Sequence, residues 1–162
     1  MWSNKTNFYC KLQNFEGECE MIVYHYTDKS NLDNIMKNGL KATSRYESFT
    51  ELRKNVVFCW LSPSDNKIFS DDTICLAVTV NENDCIVASM DYISFAMMYK
   101  YGGAKYGGMN IPINETASEL FVKLYDTTAI PLSQYRNGNL LSPEVLVKGS
   151  ISPENIRIYN DK

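Results

Sequence analysis

Two residues with side chains suited to chemistry stand beside predicted strands. His25 is the single histidine and directly follows a strand predicted over Met21–Tyr24. Glu144 lies between Pro143 and Val145, where a long polar connection enters an apolar strand. At the edge of a sheet an imidazole can hydrogen-bond a ligand, and a carboxylate can stabilise positive charge. Taken alone, a histidine is more often a structural hydrogen-bonding residue, and such a carboxylate also serves to cap a strand end in water.

Periodicity predicts the elements that hold these two residues. Apolar residues recur at helical spacing after His25, and Gly39 suits a left-handed helix stop. A second helix is predicted over Ser89–Tyr101, and Thr73–Val80 alternates as a half-buried strand does. Further strands are predicted over Met21–Tyr24, Val56–Leu61, Leu120–Tyr125, Val145–Lys148 and Ile156–Tyr159. Because strands come both before and after the helices, the sequence predicts an α+β fold.

Length and composition limit the class of protein. A chain of 162 residues is near the commonest size for one domain, so one domain over residues 1–162 is expected. The sequence has neither a run of about 18 apolar residues nor a signal-peptide core, which predicts a cytoplasmic protein with no membrane partner. Its five scattered cysteines are predicted to be reduced core residues, and no metal site is predicted. The net charge of −3 argues against nonspecific coating of nucleic acid.

Two segments resemble the ADP-ribosyltransferase fold. YHYTDKSNLDNIMKNGL is similar to its opening motif, in which a strand ends in histidine or arginine and leads to a helix closed by Gly-Leu. SPEVLVKGSISPENIRIY is similar to its end, where a catalytic glutamate opens a strand. The closest likeness is to DarT-type transferases, which modify DNA, and it covers about Met21–Leu40 and Pro143–Tyr159. The resemblance implies a split β-sheet core flanked by short helices.

The resemblance also implies roles for particular residues. Glu144 is the expected catalytic residue, and His25, Thr27 and Asn31 are expected to bind NAD as the co-substrate. In VVFCWLSPSDN, Phe58 or Trp60 is expected to stack on nicotinamide. DarT-type sequences carry an arginine just after this strand, where this chain has Ser62-Pro63-Ser64. Arg45 or Arg53 is therefore the candidate for holding the NAD phosphates.

The implied reaction agrees with what the chain contains. Cleavage of the bond between nicotinamide and ribose creates an oxocarbenium-like centre, which one carboxylate can stabilise without a metal. Ser142, two residues before Glu144, is neither Gln nor Glu, so the pair typical of arginine-modifying relatives is absent. Tyr135 and Arg136, in the connection before Glu144, are the candidates for contacting a nucleic-acid acceptor.

Three functions remain open at this stage. The first is an NAD-dependent mono-ADP-ribosyltransferase, of the glycosyltransferase class, that modifies a macromolecule such as DNA or RNA as a toxin or phage-defence factor. An antitoxin or immunity protein is then a candidate partner. The second is an NAD glycohydrolase, in which water is the acceptor. The third is a noncatalytic module of the same fold that binds a nucleotide or partner protein.

Overall fold

Three helices and one large sheet account for most of the described chain. The computed structural model describes residues 19–63, 71–102, 105–106 and 109–159. The helices are α1 (Leu32–Asn38), α2 (Met90–Tyr101) and α3 (Glu115–Thr128). The strands are β1 (Glu20–Asp28), β2 (Val56–Trp60), β3 (Thr73–Asn81), β4 (Cys85–Ser89), β5 (Lys105–Tyr106), β6 (Met109–Asn110), β7 (Ile130–Pro131), β8 (Pro143–Lys148) and β9 (Ile156–Ile158). These elements confirm the predicted α+β class.

Seven of the described strands form one antiparallel sheet in the order β7-β4-β8-β2-β1-β3-β9, and β5 pairs with β6 separately. β1 pairs with β3 along its whole length. β2 pairs along its whole length with β8, which sets Trp60 opposite Glu144. A single register pair, Tyr24 opposite Trp60, joins the described strands β1 and β2. The two halves of the sheet therefore meet at one narrow junction.

Different elements cover the two faces of the sheet. Because side chains alternate along a strand, Val145 and Leu146 of β8 face opposite ways. Val145 belongs to a core that includes β1 and β3 residues and Ile35 of α1. Leu146 belongs to a second core that includes Ile93 of α2 and Tyr125 of α3. Glu144 shares the face of Leu146 and so lies under α3.

The third helix corrects one prediction from the sequence. Residues Leu120–Tyr125 were predicted to form a strand, but they lie inside α3. Asn114 caps this helix, its side chain accepting a hydrogen bond from the Ala117 backbone N–H. Phe121 then packs on the aromatic residues of α2, its ring stacking on that of Phe95 at 5.2 Å between centroids. The N-cap and the packing on α2 therefore outweigh the strand-like composition. None of the helices in the described ranges is long and apolar enough to cross a membrane.

The cysteines also differ in part from expectation. Cys59 and Cys85 are buried free thiols, and Cys75 is half-buried and free. Cys19 is disulfide-bonded, so the prediction that all five are reduced is wrong. Burial raises the pKa of the Cys59 thiol, and it raises that of Cys85 to about 12. Both buried thiols stay protonated and act as core packing residues.

We expect Gly39→Ala to lower the free energy of unfolding by more than about 2 kcal/mol. Gly39 ends α1 with a φ of 78°, and an added Cβ would lie 2.1 Å from the carbonyl oxygen of Ile151. Gly138→Ala is the matched control, because Gly138 has a φ of 88° but no atom within 4 Å of the added Cβ. Urea unfolding of both variants measures the difference. Equal losses would mean that backbone strain alone, rather than the contact with Ile151, sets the cost.

Candidate active site around Glu144

Glu144 opens β8 and lies at the centre of a cross-strand row. Ala88 of β4 stands opposite it on one side and Trp60 of β2 on the other, and Tyr24 of β1 continues the row. Cross-strand partners point to the same face of a sheet. The residue is 3% exposed. A carboxylate buried this far needs partners, and two side chains supply them.

Arg53 and Tyr125 both bind the same oxygen of this carboxylate. The Tyr125 hydroxyl donates to Glu144 Oε1 at 2.7 Å, and Arg53 Nη1 makes an ion pair with that oxygen. Among the described residues, no hydrogen bond reaches Oε2. One oxygen is therefore held by two donors, and the other accepts no hydrogen bond from a described residue.

Aromatic rings enclose the guanidinium of Arg53. Its central carbon lies 4.4 Å from the centroid of the Phe58 ring, 5.4 Å from that of Tyr46 and 5.8 Å from that of Tyr125. Its Nε donates to the Arg45 carbonyl oxygen at 3.1 Å. Ring faces attract a cation, and their exclusion of water strengthens the ion pair with Glu144.

A short helical turn carries Arg53 into this position. Thr50 caps the 3₁₀ turn Glu51–Arg53, its side chain accepting from the Leu52 N–H. The Thr50 hydroxyl also donates to Asp126 of α3 at 2.5 Å. This bond ties the turn to the same helix that carries Tyr125. The two partners of Glu144 therefore come from elements that are joined to each other.

Burial and hydrogen bonding act in opposite directions on Glu144. Burial raises the pKa of its carboxyl above the ordinary value, and the Arg53 charge and the two hydrogen bonds offset part of that increase. Burial likewise raises the pKa of Tyr125, with the Glu144 charge adding to the effect. Tyr125 is therefore a protonated donor at neutral pH.

His25 follows the one β1–β2 register pair, at the gap where the two strands stop pairing. Its Nδ1 lies 2.8 Å from the carbonyl oxygen of Phe58. A carbonyl only accepts, so Nδ1 carries the proton and Nε2 of the neutral ring is an acceptor. Burial lowers the pKa of His25, and the charge of Arg45 lowers it further. Nε2 has no hydrogen-bond partner in the described part of the chain.

The other predicted NAD-binding residues lie around this gap. Thr27 follows His25 on β1 and accepts a long hydrogen bond, 3.4 Å, from the side chain of Asn31. Arg45 is exposed, with its guanidinium carbon 5.7 Å from the Phe58 ring centroid. Phe58 thus already packs against two arginines, whereas Trp60 is half-buried in the row of Glu144. Of the two aromatic candidates, the geometry favours Trp60 for stacking on a flat ligand.

The two acceptor candidates lie apart from this cluster. Tyr135 is 5% exposed and packs in the core on the face opposite Glu144. A ring buried there presents no face to a base in this conformation. Arg136 is exposed, and its guanidinium donates to the carbonyl oxygens of Ser133 and Tyr135.

Sequence reasoning missed the role of two residues in this site. Arg53 was considered as a phosphate ligand, and Tyr125 was placed in a strand. They lie 91 and 19 positions from Glu144, so no local pattern links them to it. We call the Arg53 guanidinium together with the rings of Phe58, Tyr46 and Tyr125 the cation box. Its sequence signal is the mixture of aromatic residues and arginines between Arg45 and Phe58. In the described ranges, no group of three or more His, Cys, Asp or Glu residues is arranged to hold a metal ion.

No family model, curated protein or solved structure matches this chain.

Proposed function

We propose that this chain is an NAD-dependent mono-ADP-ribosyltransferase that modifies a nucleic acid, DNA or RNA. The observation that carries the proposal is the Glu144 carboxylate, with Oε1 held by Arg53 and Tyr125 and no described hydrogen bond to Oε2. A fixed negative charge of this kind is what an oxocarbenium-like transition state requires. The single register pair between β1 and β2 also supports the proposal, because the ADP-ribosyltransferase fold has a split sheet.

In the proposed reaction the bond between nicotinamide and the ribose anomeric carbon breaks first. The bonding electrons leave with nicotinamide, and Oε2 of Glu144 stabilises the positive charge on the ribose. A nucleophilic atom of the acceptor then bonds to the anomeric carbon and loses its proton to solvent. Glu144 needs no change of protonation state in this sequence, which suits a carboxylate whose other oxygen is held by a cation.

The residues around the β1–β2 gap would hold NAD. His25 presents Nε2 as an acceptor, to which a ribose hydroxyl can donate. Arg45 is exposed beside this gap and can pair with phosphate. Trp60 stands in the row of Glu144, where its ring can stack on nicotinamide. Thr27 and Asn31 offer a hydroxyl and an amide at the end of β1.

The proposal requires the cover of Glu144 to open for the ribose, because that residue is 3% exposed. The segment carrying Arg53 lies between Tyr46 and Asn55, which have φ angles of 60° and 52°. Non-glycine residues in left-handed conformations mark strained backbone that is common at functional sites. Movement of this segment would expose more of the carboxylate.

The burial of Glu144 also favours a second candidate function. A buried ion pair also occurs as a purely structural feature, and the chain would then be a noncatalytic module that binds a nucleotide or a partner protein. An NAD glycohydrolase is the remaining enzyme alternative. In the transferase proposal the protein acts in the cytoplasm as a toxin or defence factor, with an antitoxin or immunity protein as candidate partner.

The deciding experiment incubates the purified chain with NAD labelled on the adenylate portion and with separate pools of DNA, RNA and protein. We expect label in one nucleic-acid pool, and none when Glu144→Gln replaces the wild type. Label in the protein pool would contradict the proposed acceptor. Free ADP-ribose without labelled polymer would establish the glycohydrolase. No NAD turnover with any pool would favour the noncatalytic module.

We expect His25→Asn to weaken NAD binding about tenfold while the fold stays intact. The asparagine amide can still donate to the Phe58 carbonyl in place of Nδ1, but it cannot reach the position of Nε2. Isothermal titration with NAD measures the dissociation constant, and thermal unfolding checks the fold. His25→Ala, which also removes the bond to Phe58, is expected to lose stability as well. An unchanged dissociation constant in His25→Asn would show that Nε2 does not contact NAD.

A further inference from the structure

The hydroxyl of Tyr125 has one orientation that satisfies both of its neighbours. Arg53 Nη1 lies 3.1 Å from it and can only donate, so the hydroxyl oxygen accepts that bond. Its single proton is then directed to Glu144 Oε1, 2.7 Å away. Tyr125 is fully buried, so its hydroxyl is shielded from bulk solvent. The Tyr125 hydroxyl therefore determines that Oε1 is the carboxylate oxygen that accepts its hydrogen bond.

The backbone under Tyr125 is anchored at several points. The Ser118 hydroxyl donates to the Ala96 carbonyl oxygen of α2 at 2.8 Å, two turns before Tyr125 on α3. Phe121, one turn before it, stacks on Phe95 and Tyr99. Arg53 belongs to a short 3₁₀ turn that the Thr50–Asp126 hydrogen bond ties to α3. Tyr125 therefore stands on a helix that is anchored both to α2 and to the turn of Arg53.

We propose that Tyr125 is a positioning residue of the transferase reaction, holding Glu144 Oε1 so that Oε2 faces the ribose throughout turnover. This inference rests on the proposed function, and it assigns different tasks to the two partners of the carboxylate. The Arg53 guanidinium supplies the opposing charge, while the Tyr125 hydroxyl keeps the carboxylate oriented. A group held in this way needs no reorganisation when charge develops.

The hydrogen bond also affects how the carboxylate ionises. The titratable or charged groups of the described residues that face Glu144 are Arg53 from the 3₁₀ turn and Tyr125 from α3. Donation from Tyr125 stabilises the ionised form, so it lowers the pKa of Glu144 relative to a site without it. Removal of the hydroxyl should raise that pKa, and the acid limb of the activity profile should move to higher pH.

Tyr125→Phe is the test, because it removes the hydroxyl and retains the ring that packs in the core. We expect kcat to fall at least about tenfold at pH 7, with the NAD dissociation constant unchanged and the acid limb of kcat shifted upward. Tyr99→Phe is the matched control, since it makes the same change on α2 in the ring stack of Phe121. It should leave kcat, NAD affinity and the pH profile as in the wild type.

Three results would overturn the proposal. They are an unchanged kcat, a loss of NAD affinity as large as the loss of kcat, and an acid limb that stays in place. Titration of the Glu144 carboxyl by carbon-13 NMR in the NAD-free wild type and Tyr125→Phe proteins separates this inference from the proposed function. If the wild type has no transferase activity, the proposed function fails. A Glu144 pKa unchanged by the substitution would then also reject Tyr125 as the group that orients the carboxylate, and an increase would support it.

Discussion

Glu144→Gln is expected to lower ADP-ribose transfer by at least about a hundredfold. Glutamine has nearly the same shape and keeps an oxygen for Arg53 and Tyr125, but it has no negative charge to stabilise an oxocarbenium-like ribose. NAD affinity should change little, because the charge acts mainly on the transition state. Initial rates of labelling with the preferred acceptor, together with NAD binding to the same protein sample, measure both quantities.

The structure adds a condition to this experiment. Glutamine leaves the buried guanidinium of Arg53 without its counter-ion, so the variant should also be less stable. Rates must therefore be compared below the unfolding transition of each protein, with circular dichroism as the check on folding. Glu154→Gln, in the exposed turn Pro153–Asn155, is the matched control and should retain wild-type rates. Full activity in folded Glu144→Gln would remove Glu144 from the catalytic role.

The elements that the sequence predicted well are those with a strong local signal. Helix α1 ends at Gly39 because that residue has a left-handed φ, as the Gly-Leu pattern indicated. Strand β3 has Leu76, Val78 and Val80 buried on one face, as their alternation predicted. Local sequence is sufficient in both cases, since a capping residue or a period of two sets the element.

The elements and contacts that were missed depend on distant parts of the chain. Strand β4 gives little signal in five residues and is defined by its pairing with β8. The stretch from Leu120 has a strand-like composition, and its helix follows from the Asn114 cap and from packing on α2. The cation box around Arg53 joins a turn, a strand, α3 and β8, so only the folded chain brings its members together.

The site itself was predicted as single residues and found as a network. Sequence reasoning placed Glu144 at the start of a strand, which β8 confirms, and placed His25 directly after a strand, whereas His25 lies inside β1, which runs to Asp28. It did not indicate that Arg53 covers Glu144, because an ion pair between a turn and a strand leaves no pattern in the sequence. The burial of Tyr135 had no local signal either, since a lone tyrosine in a polar connection is typical of a surface loop.

Arg53→Met is expected to cost about 3–5 kcal/mol of unfolding free energy at neutral pH, because it leaves the Glu144 charge buried without a cation. The methionine side chain is apolar and of similar length, so it can still pack against the Phe58 ring that the guanidinium contacts. Arg136→Met is the matched control, since that exposed guanidinium contacts backbone carbonyls of its own loop. The control should change stability by no more than about 0.5 kcal/mol.

The cost of Arg53→Met should depend on pH in a defined direction. Burial already raises the pKa of Glu144, and removal of the Arg53 charge leaves less to oppose that effect. A folded state that binds a proton more tightly than the unfolded state loses stability as pH rises from the ordinary carboxyl pKa, about 4.3, to the raised one. The unfolding free energy of the variant should therefore be closest to that of the wild type near pH 4, and the difference should be largest above the raised pKa of Glu144. Urea unfolding from pH 4 to pH 8 measures this difference.

Combining Arg53→Met with Glu144→Gln tests whether the two charges account for the loss. Each single variant leaves one buried charge without its partner, whereas the double variant has neither charge. The double variant should therefore lose less stability than the sum of the single losses, and its stability relative to the wild type should vary less with pH than that of Arg53→Met. Additive losses, or a cost of Arg53→Met that is the same at pH 4 and pH 8, would show that Arg53 stabilises the fold through its contacts with Phe58 and Tyr46 rather than through Glu144.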